Sequence, residues 1–527
     1  MALGYLAFVL HAHLPFVRHP EAPSFMEEEW FFEGITETYV PLLMAFDRLY
    51  RDGVDYRVTF SASPTLLSML TDDLLKERYA RKLDKLVELA EREVDRTRDD
   101  GRFHGLAQMY RDRFMQVRSF WQKHDGNLVN VLRFLQDAGT VEVITCTATH
   151  AFIPLLDRNW AAIRAQVHVA ADLYERLFGR RTQGIWLGEC GYVPGLDELL
   201  REEGIRYFFL DTHGLLFADS RPMYGVYAPI YCPTGVAAFG RDIRSSQQVW
   251  NRKQGYPGDP AYRDFYRDIG FDLDLDYIRP YIHPDDIRMS TGIKYYAITH
   301  SALADKEPYV PYVAWQRANE HAHHFIAQRE QHAQELRPWM DRPPILVAPY
   351  DAELFGHWWN EGPVFLEMLL RKLHADSSTI VSTTPGDYLR AHPTNQVATP
   401  PMSSWGAGGY GEYWCNQTNA WVYRHLHKMG ERMVELAHKF PHAVEMERRA
   451  LNQAARELML AQSSDWAFIM RAGTTVPYAT KRTNDHITRF HRLYQYLIEG
   501  RIDESFLAEV ERRDNLFPNI DYRVYAT

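Results

Sequence analysis

Two acidic residues each follow a short apolar segment that is typical of a buried β-strand. Glu189 comes after residues 184–187, and Asp351 comes after residues 345–348. In parallel α/β proteins the active site lies at the carboxyl ends of the strands. Two carboxyl groups in such positions are what glycosyl transfer requires. The alternative is a pair of unrelated loop acids, because strand-end acids also cap helices and form ion pairs.

Aromatic residues surround both acids in the sequence, which favours a sugar as the substrate. Aromatic side chains offer flat apolar faces that stack on pyranose rings, and they make up 13% of this chain. The residues next to the two acids are Trp186, Tyr192, Tyr350, His357, Trp358 and Trp359. Of these, we expect Trp186 and Trp358 to bind the substrate.

Two histidines after the first strand give the strongest competing signal. Residues 3–10 predict a buried strand, and His11 and His13 follow it with a period of two, so both rings share one face. The same pattern opens many metal-dependent hydrolases, in which imidazoles bind a divalent ion. In the other interpretation these rings, together with His150 after the third strand, form hydrogen bonds with substrate hydroxyl groups.

The overall composition argues against several kinds of partner. The formal net charge is −10, and no concentration of Lys and Arg is present to bind phosphate groups. No apolar run approaches the ~20 residues of a membrane span, and residues 6–10 are too short for a signal peptide. The four cysteines have no metal-type spacing and fit a reducing compartment. We therefore predict a cytoplasmic protein without a nucleic-acid or membrane partner.

Seven strand candidates alternate with helical segments, and this order predicts a closed or nearly closed (β/α) barrel, with an open sheet as the alternative. The candidates are residues 3–10, 56–61, 141–145, 184–187, 207–210, 345–348 and 379–382. A helical insertion is predicted at about 64–137, where apolar residues recur at helical spacing. A lid or loop region is predicted at about 218–270, where this periodicity fades. The catalytic domain is predicted to span residues 1–395.

The rest of the chain, residues 396–527, is predicted to be an all-helical C-terminal domain. Residues 391–404 contain His-Pro, Thr-Pro-Pro and Ser-Ser, which break regular structure and mark the boundary. Two short aromatic segments interrupt the helical pattern, and they contain Trp405, Trp414, Asp465 and Trp466. These residues form either one wall of a sugar-binding cleft or a packing contact between domains.

Four motifs in this order, at predicted strand ends, resemble glycoside hydrolase family 57 over nearly the full chain. They are His-Ala-His-Leu-Pro at 11–15, residues 145–150, Trp-Leu-Gly-Glu-Cys-Gly-Tyr at 186–192, and residues 348–359. Within the family the resemblance is to its α-1,4-glucan branching enzymes. It implies a (β/α)7 barrel with a helical insertion and a helical C-terminal domain. It also implies a retaining mechanism on an α-glucan, with no metal and no cofactor.

The resemblance also implies roles for individual residues by their motif positions. Glu189 resembles the nucleophile, Asp351 resembles the proton donor, and Tyr224 resembles a tyrosine in the lid of family branching enzymes. The donor subsite would be lined by His11, His13 and His150. Other positions expected to contact substrate are Arg241, Gly258, Trp405, Trp414, Asp465 and Thr474.

Four functions are compatible with these residues. The first is chain transfer that forms an α-1,6 branch. The second is an α-amylase or 4-α-glucanotransferase, because the segment from Tyr224 to Gly235 is shorter than in some branching enzymes and reduced lids accompany hydrolysis. The third is a metal-dependent hydrolase that uses His11 and His13, with His150, His213 and Asp351 as further ligands. The fourth is a non-catalytic glucan-binding protein, which would keep its function after Glu189→Gln.

Overall fold

A parallel sheet of short, almost fully buried strands organises the amino-terminal part of the protein. The structure is a computed structural model and describes residues 2–250, 255–299, 306–377 and 379–526. Its strands are β1 (Gly4–Ala12), β2 (Val58–Ala62), β3 (Val141–Cys146), β4 (Gly184–Trp186), β5 (Tyr207–Leu210), β6 (Ile230–Tyr231), β7 (Ala237–Gly240), β8 (Ile345–Asp351) and β9 (Ile380–Ser382). Both faces of the sheet are covered, so the strands are continuous apolar segments rather than alternating ones.

The sheet curls into a barrel. The order is β6-β7-β5-β4-β3-β2-β1-β8, every pair is parallel except β6–β7, and β9 pairs with the start of β1. The two ends of the parallel series meet just after β7, where the Asp242 backbone N–H donates to the Val347 carbonyl of β8 at 2.8 Å. The predicted (β/α)7 barrel is therefore confirmed, with β1 to β5, β7 and β8 as its seven strands.

One barrel strand lies in the region that the sequence predicted to be a loop. Strand β7 lies within 218–270, and the helix Ile243–Trp250 follows it. Ala237, Ala238 and Gly240 have little β-propensity, so the segment gives no strand signal by itself. The predicted last strand exists as β9, but it pairs with residues 4–6 of β1 at the amino end of the sheet.

Helices surround the barrel and fill the two predicted helical regions. In the amino-terminal part they are α1 (Glu28–Glu33), α2 (Val40–Arg51), α3 (Pro64–Leu70), α4 (Asp73–Arg96), α5 (His104–Lys123), α6 (Leu128–Asp137), α7 (Trp160–Phe178), α8 (Leu196–Glu202), α9 (Thr212–Leu216), α10 (Ile243–Trp250), α11 (Ile269–Asp272), α12 (Leu275–Ile278), α13 (Pro311–Leu336), α14 (Gly362–Ala375) and α15 (Pro385–Ala391). The helices α3 to α6 occupy the predicted insertion. A π-helical turn, Gly34–Tyr39, lies between α1 and α2.

The C-terminal part is helical, as the apolar periodicity predicts. It contains α16 (Trp421–Lys439), α17 (Glu445–Ala461), α18 (Ser464–Ala472), α19 (Val476–Glu499) and α20 (Glu504–Arg513). The start of α18 rests on the carboxyl end of the barrel, because Ser463 forms a bridge with Ala151 just beyond β3. In the described part of the chain, no helix combines the length and apolar character needed to cross a membrane.

Candidate active site

Glu189 lies in a strained turn directly after β4. Its backbone has φ 61° and ψ 25°, and Cys190 has φ 51°. Left-handed conformations cost about 1–2 kcal/mol for each residue that is not glycine. The turn also packs closely on the loop after β3, because a Cβ atom at Gly188 would lie 2.7 Å from the Ala151 carbonyl oxygen. Backbone strain of this kind is concentrated at functional sites, where the surrounding structure maintains it.

Two hydrogen-bond donors from the C-terminal part of the chain hold the Glu189 carboxylate. The Trp405 indole Nε1–H donates to Oε2 at 2.7 Å, and the Ser464 hydroxyl lies 2.8 Å from Oε1. Burial raises the pKa of Glu189 to about 7, although both donors lower it. The carboxylate is therefore buried but has partners that stabilise its charged form.

Asp351 is the last residue of β8 and faces the same space as Glu189. In the sheet it is in register with His11 of β1. Burial raises the pKa of Asp351 well above its usual range, and the nearby carboxylates of Glu353 and Glu189 raise it further, whereas Arg241 lowers it. These surroundings favour the protonated form of Asp351.

A cavity of about 570 Å³ joins the two acids, a size typical of small-molecule sites. The predicted site residues that line it are His11, His13, His150, Glu189, Arg241, Asp351, Trp405, Trp414 and Asp465. Its walls are therefore acids, imidazoles and indoles brought together from both halves of the chain.

The three histidines of the cavity form a stacked group with internal hydrogen bonds. The His11 and His150 Nε2 atoms are 2.9 Å apart, and the His13 and His150 rings stack with centroids 3.8 Å apart. His13 Nε2 lies 3.0 Å from a carboxylate oxygen of Asp465. Burial, and then the neighbouring histidines, lower the pKa of His11 well below its usual value, and burial does so for His150. Both shifts favour the neutral form of the ring.

The same group has the atom types that bind a metal ion. One ligand atom from each of His13, His150 and Asp465 lies within 4.8 Å of the others. Both ring nitrogens of His11, His13 and His150 nevertheless have hydrogen-bond partners within the protein. His213, a further ligand in the metal interpretation, instead bonds to the Gly409 carbonyl at 2.8 Å. A divalent ion would have to displace several of these contacts.

Some predicted substrate-binding residues lie outside the cavity lining. Trp186 is fully buried under the site, where its ring stacks on His11 at 4.8 Å. Trp358 is 54% exposed and stacks on Phe265. Gly258 ends a short 3-10 turn and Thr474 is exposed between α18 and α19. The cavity that joins the two acids is therefore lined without Trp186, Trp358, Gly258 and Thr474.

The predicted lid residue Tyr224 lies near the opposite end of the barrel. It lines a separate cavity with Arg342, whose guanidinium lies 5.8 Å from the tyrosine ring. The nearby Tyr227 carbonyl accepts a bond from the backbone of Ile345, the first residue of β8. The length of β8, about 20 Å for seven residues, separates this position from Asp351. The structure thus does not bring Tyr224 to the acid pair.

Six lining residues were not predicted as site residues, and they are Trp250, Glu353, Gly406, Ala407, Tyr413 and Phe468. Glu353 is only two residues after Asp351, so its proximity could have been predicted from the motif. Ser464 contacts Glu189 but has no distinguishing sequence signal, because a serine at a helix start is usually a cap.

An α/β barrel with two carboxyl groups at its strand ends, in a cavity with aromatic walls, has the architecture of a glycoside-processing enzyme. The comparison with known sequences gives the family. The profile of Glycosyl hydrolase family 57 matches residues 7–401, and a profile described as 1,4-alpha-glucan branching enzyme, C-terminal, matches residues 425–525. The chain belongs to glycosyl hydrolase family 57.

Three similar proteins are described as branching enzymes or as an alpha-amylase. The 1,4-alpha-glucan branching enzyme of Thermococcus kodakarensis is 34% identical over 98% of this chain and 77% of its own. The GH57-type branching enzyme of Pyrococcus horikoshii is 35% identical, with 100% and 97% coverage and a TM-score of 0.89. A structure described as the novel alpha-amylase AmyC of Thermotoga maritima is 46% identical, with 99% coverage of both chains and a TM-score of 0.94.

Proposed function

We propose that this protein is a 1,4-α-glucan branching enzyme that acts as a retaining transglycosylase. The observation that carries the proposal is the unequal environment of its two acids. Glu189 receives bonds from Trp405 and Ser464, which favour a carboxylate. Asp351 is partly removed from solvent and lies near other carboxylates, which favours a protonated acid. A nucleophile and a proton donor need these two states.

In the first step the Glu189 carboxylate attacks C1 of the donor glucan and forms a covalent glycosyl-Glu189 intermediate. Asp351 gives its proton to the leaving oxygen of the α-1,4 bond. In the second step Asp351 takes the proton of an acceptor 6-hydroxyl, which attacks C1 and releases Glu189 with an α-1,6 branch formed. His13, Arg241 and Asp465 would bind donor-sugar hydroxyls in the cavity.

The substrate is proposed to be an α-glucan such as amylose or glycogen, and the tryptophans of the cavity support this. Trp250, Trp405 and Trp414 line the space around the acids and offer flat apolar surfaces for sugar rings. The names of the branching-enzyme relatives and the match to a branching-enzyme C-terminal profile support the same substrate class. We further propose that the reaction requires no metal or cofactor.

An α-amylase is the second candidate, and two observations favour it. The similarity to the alpha-amylase AmyC extends over the whole chain, and Tyr224 lines a cavity away from the acid pair. Transfer requires that the acceptor hydroxyl outcompetes water at the covalent intermediate, and exclusion of water from the site favours transfer. The same two acids would give hydrolysis if water reached C1 first.

The experiment that tests the proposal is incubation of the purified protein with amylose. New α-1,6 linkages are measured by NMR and by enzymatic debranching, alongside the release of reducing ends. Branches with few reducing ends support the proposal, whereas reducing ends without branches establish an α-amylase. Redistributed chain lengths with neither product identify a 4-α-glucanotransferase. Glu189→Gln serves as the inactive control.

We also propose that the protein works in glycogen biosynthesis in the cytoplasm. Free cysteines support this location, because Cys146, Cys190 and Cys232 are buried thiols and Cys415 is an exposed one. Such thiols are typical of a reducing compartment. Glycogen that lacks α-1,6 branches in a cell without this protein would support the role.

A further inference from the structure

Ser464 links the helical C-terminal part of the chain to the Glu189 carboxylate. It is the first residue of α18, it is buried, and its backbone N–H donates to the His150 carbonyl at 3.2 Å. Its hydroxyl oxygen lies 2.8 Å from Glu189 Oε1 and 2.8 Å from His150 Nδ1. A single hydroxyl group therefore joins the nucleophile to the histidine group.

The direction of these two hydrogen bonds follows from the number of protons available. An ionised carboxylate only accepts, so the one proton of the Ser464 hydroxyl points to Glu189. The Ser464 oxygen must then accept from His150, which places a proton on His150 Nδ1. Because the His150 ring is neutral, its Nε2 carries no proton and acts as an acceptor.

The same count of protons gives the direction of the hydrogen bonds from His150 to His11 and from His11 to Ser61 in the barrel. His11 Nε2, 2.9 Å from His150 Nε2, must donate, so the neutral His11 ring has an unprotonated Nδ1. That atom lies 3.1 Å from the Ser61 hydroxyl of β2, which becomes the donor. Trp186 stacks on His11 and restricts the orientation of its ring. Three hydrogen bonds therefore lead from Ser61 to the Ser464 oxygen.

We infer that Ser61, His11, His150 and Ser464 form a directed hydrogen-bond relay in which Ser464 is a positioning residue for Glu189. The inference rests on the proposed function, because it takes Glu189 to be the ionised nucleophile. The relay transfers no proton during the reaction. Each dipole instead points a hydrogen towards the carboxylate, and successive bonds polarise one another. The Ser464 hydroxyl can go on donating to the ester oxygen of the covalent intermediate.

Neutron crystallography of the full-length protein, deuterated and crystallised at alkaline pH, tests the relay directly. We expect deuterium on His150 Nδ1, on His11 Nε2 and on the Ser464 oxygen directed at Glu189. Deuterium on His150 Nε2 or on both nitrogens of either ring would overturn the inference. This readout does not depend on activity, so it stands even if the protein proves inactive on glucans.

Kinetics of Ser464 variants test the positioning role. The bond from Ser464 goes to a charged group, so Ser464→Ala is expected to lower kcat by about 10–100-fold with a smaller change in KM. The acid limb of the pH profile should move to higher pH, because Glu189 loses a donor that lowers its pKa. Ser464→Thr keeps the hydroxyl, so its kcat and the acid limb of its pH profile should be close to those of the unmodified protein.

Ser505→Ala is the matched control, because Ser505 is exposed on α20 and its hydroxyl contacts only Asp503 among the described residues. A purely structural role for Ser464 would lower the folded fraction without moving the acid limb, and that result contradicts the inference. If Ser464→Ala kept full kcat and an unchanged acid limb of its pH profile, that result would also contradict the inference. If the unmodified protein acts on no α-glucan, the proposed function fails instead.

Discussion

Trp405 and Glu189 are joined by two hydrogen bonds that run in the same direction. The indole Nε1–H donates to the Glu189 carboxylate at 2.7 Å, and the Trp405 backbone N–H donates to the Glu189 carbonyl at 2.9 Å. One residue thus fixes both the strained backbone of Glu189 and the orientation of its side chain. The indole edge also meets the buried Trp186 ring, 5.2 Å between centroids.

Trp405→Phe separates the hydrogen bond from the aromatic wall. The backbone bond and an aromatic ring remain, but the donor to the carboxylate is lost. We expect kcat to fall by about 10–100-fold, with the acid limb of the pH profile at higher pH. Trp339→Phe is the control, because Trp339 is 82% exposed. An unchanged acid limb in Trp405→Phe would show that the indole N–H does not tune Glu189.

Glu189→Gln should remove activity while stabilising the fold at alkaline pH. Glu189→Gln should lower turnover by several orders of magnitude. Asp351→Asn should lower turnover by a similar factor. Burial raises the Glu189 pKa from 4.5 to about 7, so the folded state binds the proton more tightly than the unfolded state. Stability is then lost as pH rises from 4.5 through 7, by up to about 3 kcal/mol. Thermal unfolding at pH 4 and pH 8 measures this: the variant should gain Tm only at pH 8.

Glu353→Gln should make Asp351 a stronger acid. The Glu353 carboxylate accepts bonds from the Tyr39 hydroxyl at 2.5 Å and from the His13 backbone at 3.2 Å. Its charge is one of the causes that raise the Asp351 pKa. Without that charge, the alkaline limb of the kcat profile should move to lower pH. Glu499→Gln, on the distant α19, is the control, and an alkaline limb shared by both variants would contradict the prediction.

Asp465→Asn should shift the acid limb in the opposite direction to Trp405→Phe. The Asp465 charge raises the pKa of Glu189, so its removal moves the limb to lower pH. The variant should also lose stability, because His13 holds the Asp465 pKa at about 2 against the effect of burial. That stabilisation is present above pH 3.8 and is lost as pH falls towards 2. A Tm difference that persists undiminished at pH 2 would argue against this ion pair.

Tyr224→Ala should leave the ratio of branching to hydrolysis unchanged. The residue lies beside Arg342 at the amino end of β8, away from the acid pair. NMR of the amylose products, with reducing-end assays, gives the ratio for the variant and the unmodified protein. A clear shift towards hydrolysis in Tyr224→Ala would restore the lid role suggested by the sequence resemblance.

Local sequence patterns predicted the barrel well because its strands are buried on both faces. Residues 3–10 and 345–348 are continuous apolar segments, and each leads directly to chemically distinctive residues. Strand β7 escaped prediction because Ala237 and Ala238 are stabilised by neighbours and not by their own propensity. A strand of this kind is defined by the sheet that surrounds it.

The acid pair was predictable, but its partners were not. Glu189 and Asp351 follow strand ends, and the ends of parallel strands must converge. Ser464 lies 275 residues from Glu189 in the chain, and Asp465 lies 452 residues from His13. Such contacts depend on where α18 docks, and no local spacing encodes that position. The position of Tyr224 beside Arg342 could not be predicted for the same reason, because a motif does not specify the path of a loop.

The position of α18 on the barrel affects the order in which the protein is made. Glu189 and Asp351 both emerge from the ribosome before Ser464 does, since synthesis proceeds from the amino terminus. A nascent chain that ends before residue 464 carries the two acids but lacks the hydroxyl donor to Glu189. The set of hydrogen bonds to the Glu189 carboxylate is therefore completed only near the end of translation, and chains that end before residue 464 should have no more turnover than Ser464→Ala.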